Sequence, residues 1–211
     1  MPSAALSRWQ TDRMSRLGHT DAHCVALFAA PLAAAAPGAA SPAPPLAQES
    51  LQGYVMLLSG HFQGFCRDLY TECAQICAAT VPAGLLATMQ AQFAAQLKLN
   101  TGNPTVENIR KDFERFGFLL DLPGAHPANR VRLTHLAHLN FWRNAVAHQK
   151  ASPLPAGVPA VLTLADIQVW RASCDGLAIS LDDIRSVAPH PGCCPMVTGG
   201  GGERDDDAQP D

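Results

Sequence analysis

The 211-residue sequence is poor in aromatic residues (6%) and in charge (16%), and it nearly lacks the alternating apolar–polar runs that build strands. A sheet-based fold is therefore not expected. Its seven cysteines are odd in number and follow no paired spacing, which argues against a disulfide framework. Reduced thiols in a cytoplasmic protein are the simpler expectation. The glycine run at 199–202 lacks the lysine and the following helix that a nucleotide-cradling loop needs. The apolar stretch at 25–36 is about twelve residues long, too short to cross a bilayer. Arg8, Arg13 and Arg16 precede that stretch in the manner of a signal peptide, but the lead-in is long and carries Asp12 and Asp21. Secretion is not expected. No internal repeat is present.

What the chain does have is alanine, proline and helical period. Residues 29–47 interleave alanine with proline and glycine, and read as a linker that buries little. The sequence thus divides into a weak helix plus linker (1–46), a helical bundle (47–188) and a disordered acidic tail (189–211). Residues 200–211 carry a net charge of −4 within an overall −3, so the remainder is close to neutral. Between Pro104 and Lys150 seven cations face four acids, a mildly basic stretch compatible with a phosphate ligand.

Five helical segments are expected. Leu51, Tyr54, Val55, Leu58, Phe62, Phe65, Leu69, Cys73 and Ile76 recur at three- and four-residue steps, which predicts a long helix over 48–79. Shorter helices follow at 85–98 and from Asn103-Pro104, with Pro104 in the first turn. A second long helix spans 129–150. Thr163 caps a last one over 164–187. Helices of this length with short connections make an all-α, up-and-down bundle of four to five helices.

The 129–150 helix carries the candidate chemistry. On a wheel, Leu133, Leu136, Leu139, Trp142 and Val146 share an apolar arc with Val131 and Ala147, and Arg143 falls inside that arc. A guanidinium there must be paired or must reach water. Beside it Asn140, Asn144 and His148 form a polar stripe, one turn apart. Arg143 and His148 lie about 140° apart, so a single helix does not aim both at one atom without help from the long arginine stem. A second copy across a two-fold axis supplies the missing group. The plain structural alternatives are a snorkelling arginine and a histidine that offsets the helix dipole.

Other polar groups are less telling. His61 sits at the border of the apolar face of 48–79, near Asp68 and Glu72; a bond to one of these acids or a supporting role in the cleft are the two readings. His135 with His138, and His19 with His23, have chelating spacing but no obvious third ligand, so no metal or other cofactor is expected. Cys73 and Cys77 read as small hydrophobes, and Cys193-Cys194 suggest no site.

The stretch Leu139-Asn140-Phe141-Trp142-Arg143-Asn144-Ala145-Val146-Ala147-His148 resembles the R-N-x-x-x-H signature of the HEPN superfamily, particularly its RiboL-PSP branch. It stands on the penultimate helix, where that family carries it. Met56 through Phe65 is similar to the family's helix with a His-aromatic-Glu-Gly-Phe core, with Gln63 where an acid is common. Glu107 through Phe113 resembles the short helix between them. The likeness covers about residues 47–187.

The resemblance implies a metal-independent endoribonuclease that acts as a homodimer on RNA, in a toxin–antitoxin or defence setting. Arg143, Asn144 and His148 are then the catalytic set, with Asn140 and His61 binding substrate or supporting. The chemistry suits the residue types: an imidazole exchanges protons near neutral pH, and a guanidinium presents a planar fork to phosphoryl oxygens. The resemblance also admits a non-catalytic alternative, a nucleotide-binding or dimerisation module that partners a nucleotidyltransferase-like subunit. An antitoxin partner is a further implication, and a membrane association is not. A plain helical scaffold is the third reading.

Overall fold

The computed structural model describes residues 1–34, 45–117, 119–149 and 153–187. Among them every regular element is helical, as the missing strand signals imply. The linker residues 35–44 and the tail from 188 onward, including Cys193-Cys194, lie outside the described residues.

The first surprise is at the N-terminus. Helix α1 (Ala4–Arg8), a π-helical turn (Trp9–Arg13) and α2 (Met14–Ala34) follow one another without a break. Ser3 caps the start, its hydroxyl accepting from the Leu6 amide at 2.9 Å. The expected weak helix outside the bundle is corrected here: Ala5, Leu6, Trp9, Leu17 and Cys24 are all in the core. Trp9 is fully buried against Phe62 and Phe65, with ring centroids 5.8 and 5.7 Å away. Its indole Nε1 donates to Asp175 Oδ1 at 2.9 Å. The Ser3 amide lies 3.2 and 3.3 Å from the two oxygens of Asp182, and the Ala5 amide donates to Glu72 Oε1 at 2.6 Å. These carboxylates occupy amides that a helix start leaves without partners. The π turn inserts one extra residue and breaks the 3.6 period, which is why the apolar pattern of this segment looks weak in sequence.

Helix α3 (Pro45–Ala78) is the central strut, and its predicted apolar face is the buried one from Leu51 to Cys73. Helix α4 (Ala83–Ala94) contributes Phe93, which joins Tyr70, Phe113 and Phe116 in an aromatic cluster. Helix α5 (Lys98–Thr101) is a single turn. Its first amides, Lys98 and Leu99, donate to the buried Asp112 carboxylate at 3.0 and 2.8 Å. Helix α6 (Val106–Phe113) starts two residues later than the proline suggests. Thr105 is its cap, the hydroxyl accepting from Asn108 N, because that arrangement satisfies a first-turn amide that proline cannot cap. A 3₁₀ turn (Glu114–Phe116) ends at Gly117, whose φ of 78° suits glycine.

After α7 (Leu122–Ala125), helices α8 (Asn129–His148) and α9 (Leu164–Val187) pack against each other and against α3. Thr163 caps α9 as expected, and Asp166 completes a reciprocal pair: the Asp166 amide reaches Thr163 Oγ1 at 3.2 Å, and the Thr163 amide reaches Asp166 Oδ2 at 3.3 Å. Helix α9 brings Ile167, Trp170, Cys174, Leu177, Ala178 and Leu181 into the core. The bundle is thus built from the long helical stretches 4–34, α3, α8 and α9, with α4, α5, α6 and the 3₁₀ turn packed on α3 and α7 packed on α8 and α9.

Candidate functional site at the end of α8

Helix α8 buries Leu136 and Leu139 from the predicted arc, and also Asn129 and Asn140, the latter from the expected polar stripe. Val131, at the arc's far edge, is instead 58% exposed. Burial fades toward the C-terminus: Trp142 and Arg143 are half-buried, whereas Asn144, Ala147 and His148 are exposed. Arg143 therefore lies on the core side by angle but sits where its helix runs past its neighbours. That position lets the guanidinium reach water without leaving its arc. The helix stops at Gln149, which adopts a left-handed conformation (φ 49°, ψ 34°) and returns its amide to Val146 O.

The polar contacts of this end come from a loop that sequence reasoning did not connect to it. Arg143 Nη1 donates to Asn144 Oδ1 at 3.2 Å, and Asn103 Nδ2 donates to the same oxygen at 2.7 Å. The turn carrying Asn103 is tied down along its length. Gln63 Nε2, from α3, donates to Leu99 O and Gly102 O at 2.6 and 2.7 Å. Arg67 Nε adds a bond to Leu99 O at 2.8 Å, and Asn108 Nδ2 one to Asn103 O at 2.8 Å. Gln63 thus does positional work that needs an amide donor, which an acid at this position does not supply when ionised. The sequence signal for Asn103 was slight: an asparagine before a proline, forty-one positions from its partner.

The other predicted site residues separate. Asn140 is 5% exposed and faces the interior, donating from Nδ2 to Pro104 O at 3.3 Å; its Oδ1 is buried without a partner. It braces the turn from inside instead of lining a cleft. The His148 side chain is exposed and makes no hydrogen bond, ion pair or ring contact among the described residues. Arg143, Asn144 and His148 share the solvent end of α8, where Arg143 and His148, five positions apart, stand about 140° apart around the helix axis.

His61 is not part of this end. Its pKa is pushed down by burial first, then by Arg13 and Arg16, against an opposing pull from Asp12. Those neighbours all belong to the N-terminal helical stretch. Asp68 and Glu72, the acids expected to bond His61, are taken by others. Asp68 accepts from Arg13 Nη2 at 2.5 Å, and Glu72 accepts from the Ala5 amide. His135 Nδ1 lies 2.7 Å from Ser173 Oγ, and His138 packs edge-on to Trp170, so this pair is occupied by α9. Among the described residues no group of three or more His, Cys, Asp or Glu is arranged to hold a metal ion. Cys73 is buried and Cys77 partly so; burial pushes the Cys73 thiol up to about 12.

No helix among the described residues is long and apolar enough to cross a membrane. Compared with protein-family models, curated proteins and solved structures, the chain gives no match.

Proposed function

We propose that the chain is a metal-independent endoribonuclease of the HEPN type, working as a homodimer. The observation that carries this reading is the Arg143–Asn144–Asn103 bridge at the solvent end of α8, with the unpartnered His148 one turn further on. The 2′-hydroxyl attacks the adjacent phosphorus, so the P–O2′ bond forms as the P–O5′ bond breaks. His148 serves one of the two proton transfers, taking the proton from the 2′-hydroxyl or giving one to the departing 5′ oxygen, and water serves the other, so that no proton is gained or lost overall. Arg143 and the Asn144 amide donate to the non-bridging oxygens, where negative charge builds up. The products are a 2′,3′-cyclic phosphate and a 5′-hydroxyl end. Because Arg143 and His148 diverge on one helix, each cleft draws them from two chains.

The test is cleavage of RNA in EDTA by the full chain, beside His148→Ala and Arg143→Ala. Loss in both variants, with cyclic-phosphate ends from the parent, supports the reading. Equal activity in all three assigns the cleavage to a contaminant. Growth arrest on expression, relieved by His148→Ala, supports a toxin or defence role.

A second reading is favoured by one fact: in a single chain Arg143 bonds to Asn144, whereas the exposed His148 side chain has no bond to either. That arrangement suits a module that holds a nucleotide phosphate without cleaving it and partners another subunit. Nucleotide binding without RNA cleavage selects it.

A further inference from the structure

We infer that Asn103 is a positioning residue: it locks the Asn144 amide with its oxygen inward and its NH₂ outward, so that Asn144 and Arg143 offer one donor face to a phosphate oxygen. The inference deepens the proposed function and rests on its assignment of Arg143 and Asn144 to phosphate.

An amide oxygen has two lone pairs. Those of Asn144 are met by two donors, Asn103 Nδ2 at 2.7 Å and Arg143 Nη1 at 3.2 Å. Turning the Asn144 amide over alone sets its own N–H groups against both donors and breaks both bonds, and turning it together with Asn103 still loses the bond from Arg143, so the two donors favour this orientation. With Oδ1 engaged, the remaining polar group of Asn144 is Nδ2, a pure donor on an exposed residue. It stands beside a permanently cationic guanidinium. Two donor groups from adjacent residues, one charged and one neutral, match the oxygens of a phosphodiester.

Asn103 can hold this orientation because its own backbone does not move freely. Leu99, Asn100, Gly102, Asn103 and Pro104 each have their carbonyl engaged by a side-chain donor: Gln63, Arg67, Asn108 or Asn140. The Thr105 amide adds a second bond to Asn103 O at 2.8 Å. Pro104 further confines Asn103 to extended backbone. The short turn is thereby held by side chains of α3, α6 and α8, and it delivers one amide donor to α8.

The experiment titrates inorganic phosphate into the ¹⁵N-labelled full chain and follows the side-chain NH₂ of Asn144, assigned by its disappearance in Asn144→Asp. The same titration is run on Asn103→Ala, Asn144→Ala and the double variant, with thermal melting as a folding control. The parent is expected to bind phosphate with a shift of that NH₂ pair. Asn103→Ala should weaken binding about tenfold, the worth of one such hydrogen bond. The double variant should match Asn144→Ala, because Asn103 acts only through Asn144. Asn103→Gln, which keeps the donor, should recover part of the loss. Independent, additive losses in the double variant, an unmoved NH₂ pair, or parental affinity in Asn103→Ala each overturn the inference. RNA cleavage separates the two ideas. An inactive parent that still shows the phosphate cycle overturns only the nuclease reading. An active parent whose kcat and KM are unchanged by Asn103→Ala overturns only this inference.

Discussion

The guanidinium of Arg13 lies on Gly64. Its Nη1 donates to the His61 carbonyl at 2.8 Å and its Nη2 to Asp68 at 2.5 Å. A Cβ on Gly64 falls directly on that guanidinium, whereas one on Gly53 or Gly60, in the same helix, meets nothing within 4 Å. One glycine of α3 is thus a seat for an arginine, and the other two only cost helix propensity.

This contrast predicts opposite signs in one helix. Gly53→Ala and Gly60→Ala should each stabilise by about 0.5–1 kcal/mol, the ordinary gain of alanine over glycine. Gly64→Ala displaces Arg13 and loses charge-assisted bonds of about 1.5–3 kcal/mol, so it should destabilise on balance. In an Arg13→Ala background Gly64→Ala should become stabilising. Urea melts of the six proteins check this; a stabilising Gly64→Ala in the parent background contradicts it.

The burial of Trp9 makes a second prediction. Trp9→Ala should cost about 3–5 kcal/mol, the usual loss for a large buried aromatic, and should lower a single cooperative transition. A change within 0.5 kcal/mol, the range of roughly neutral surface substitutions, would place the N-terminal helix outside the core.

Much of the fold was legible because it follows from local rules. The apolar steps of α3 and the Thr163 cap of α9 are signals contained within one segment. The apolar pattern of the N-terminal helical stretch is hard to read in sequence because its π turn shifts the register between Trp9 and Leu17. Of the site, the Arg143–Asn144–His148 spacing was legible, but its supports were not. The Asn103–Asn144 bond is a long-range contact between polar side chains of two segments, as are, elsewhere in the fold, the contacts of Arg13 on Gly64 and of Arg132 beside Gly176. Periodicity reports which face of a helix is apolar; it carries no information about which distant loop supplies a donor.

Acidification gives a third prediction. Burial lowers His61, with Arg13 and Arg16 adding to the effect, and burial lowers His135 with His138 beside it. The unfolded chain therefore binds these protons at higher pH than the folded one. The stability involved is full above the ordinary histidine pKa of about 6.5 and declines as pH falls from there through the lowered native values. The parent should lose more melting temperature than His61→Gln/His135→Gln when pH drops from about 7.5 to about 5.5. Parallel curves for the two proteins contradict this assignment.

The most direct test of the proposed chemistry is complementation between two dead chains. Arg143→Ala and His148→Ala, each inactive alone, are co-expressed and assayed on RNA in EDTA. With Arg143 and His148 of each cleft drawn from different chains, half the dimers are mixed and each mixed dimer holds one intact cleft. About a quarter of parental activity per dimer should then return. A mixture as inactive as either variant, from a parent that cleaves RNA, contradicts the shared cleft; a parent that leaves RNA intact contradicts the nuclease itself.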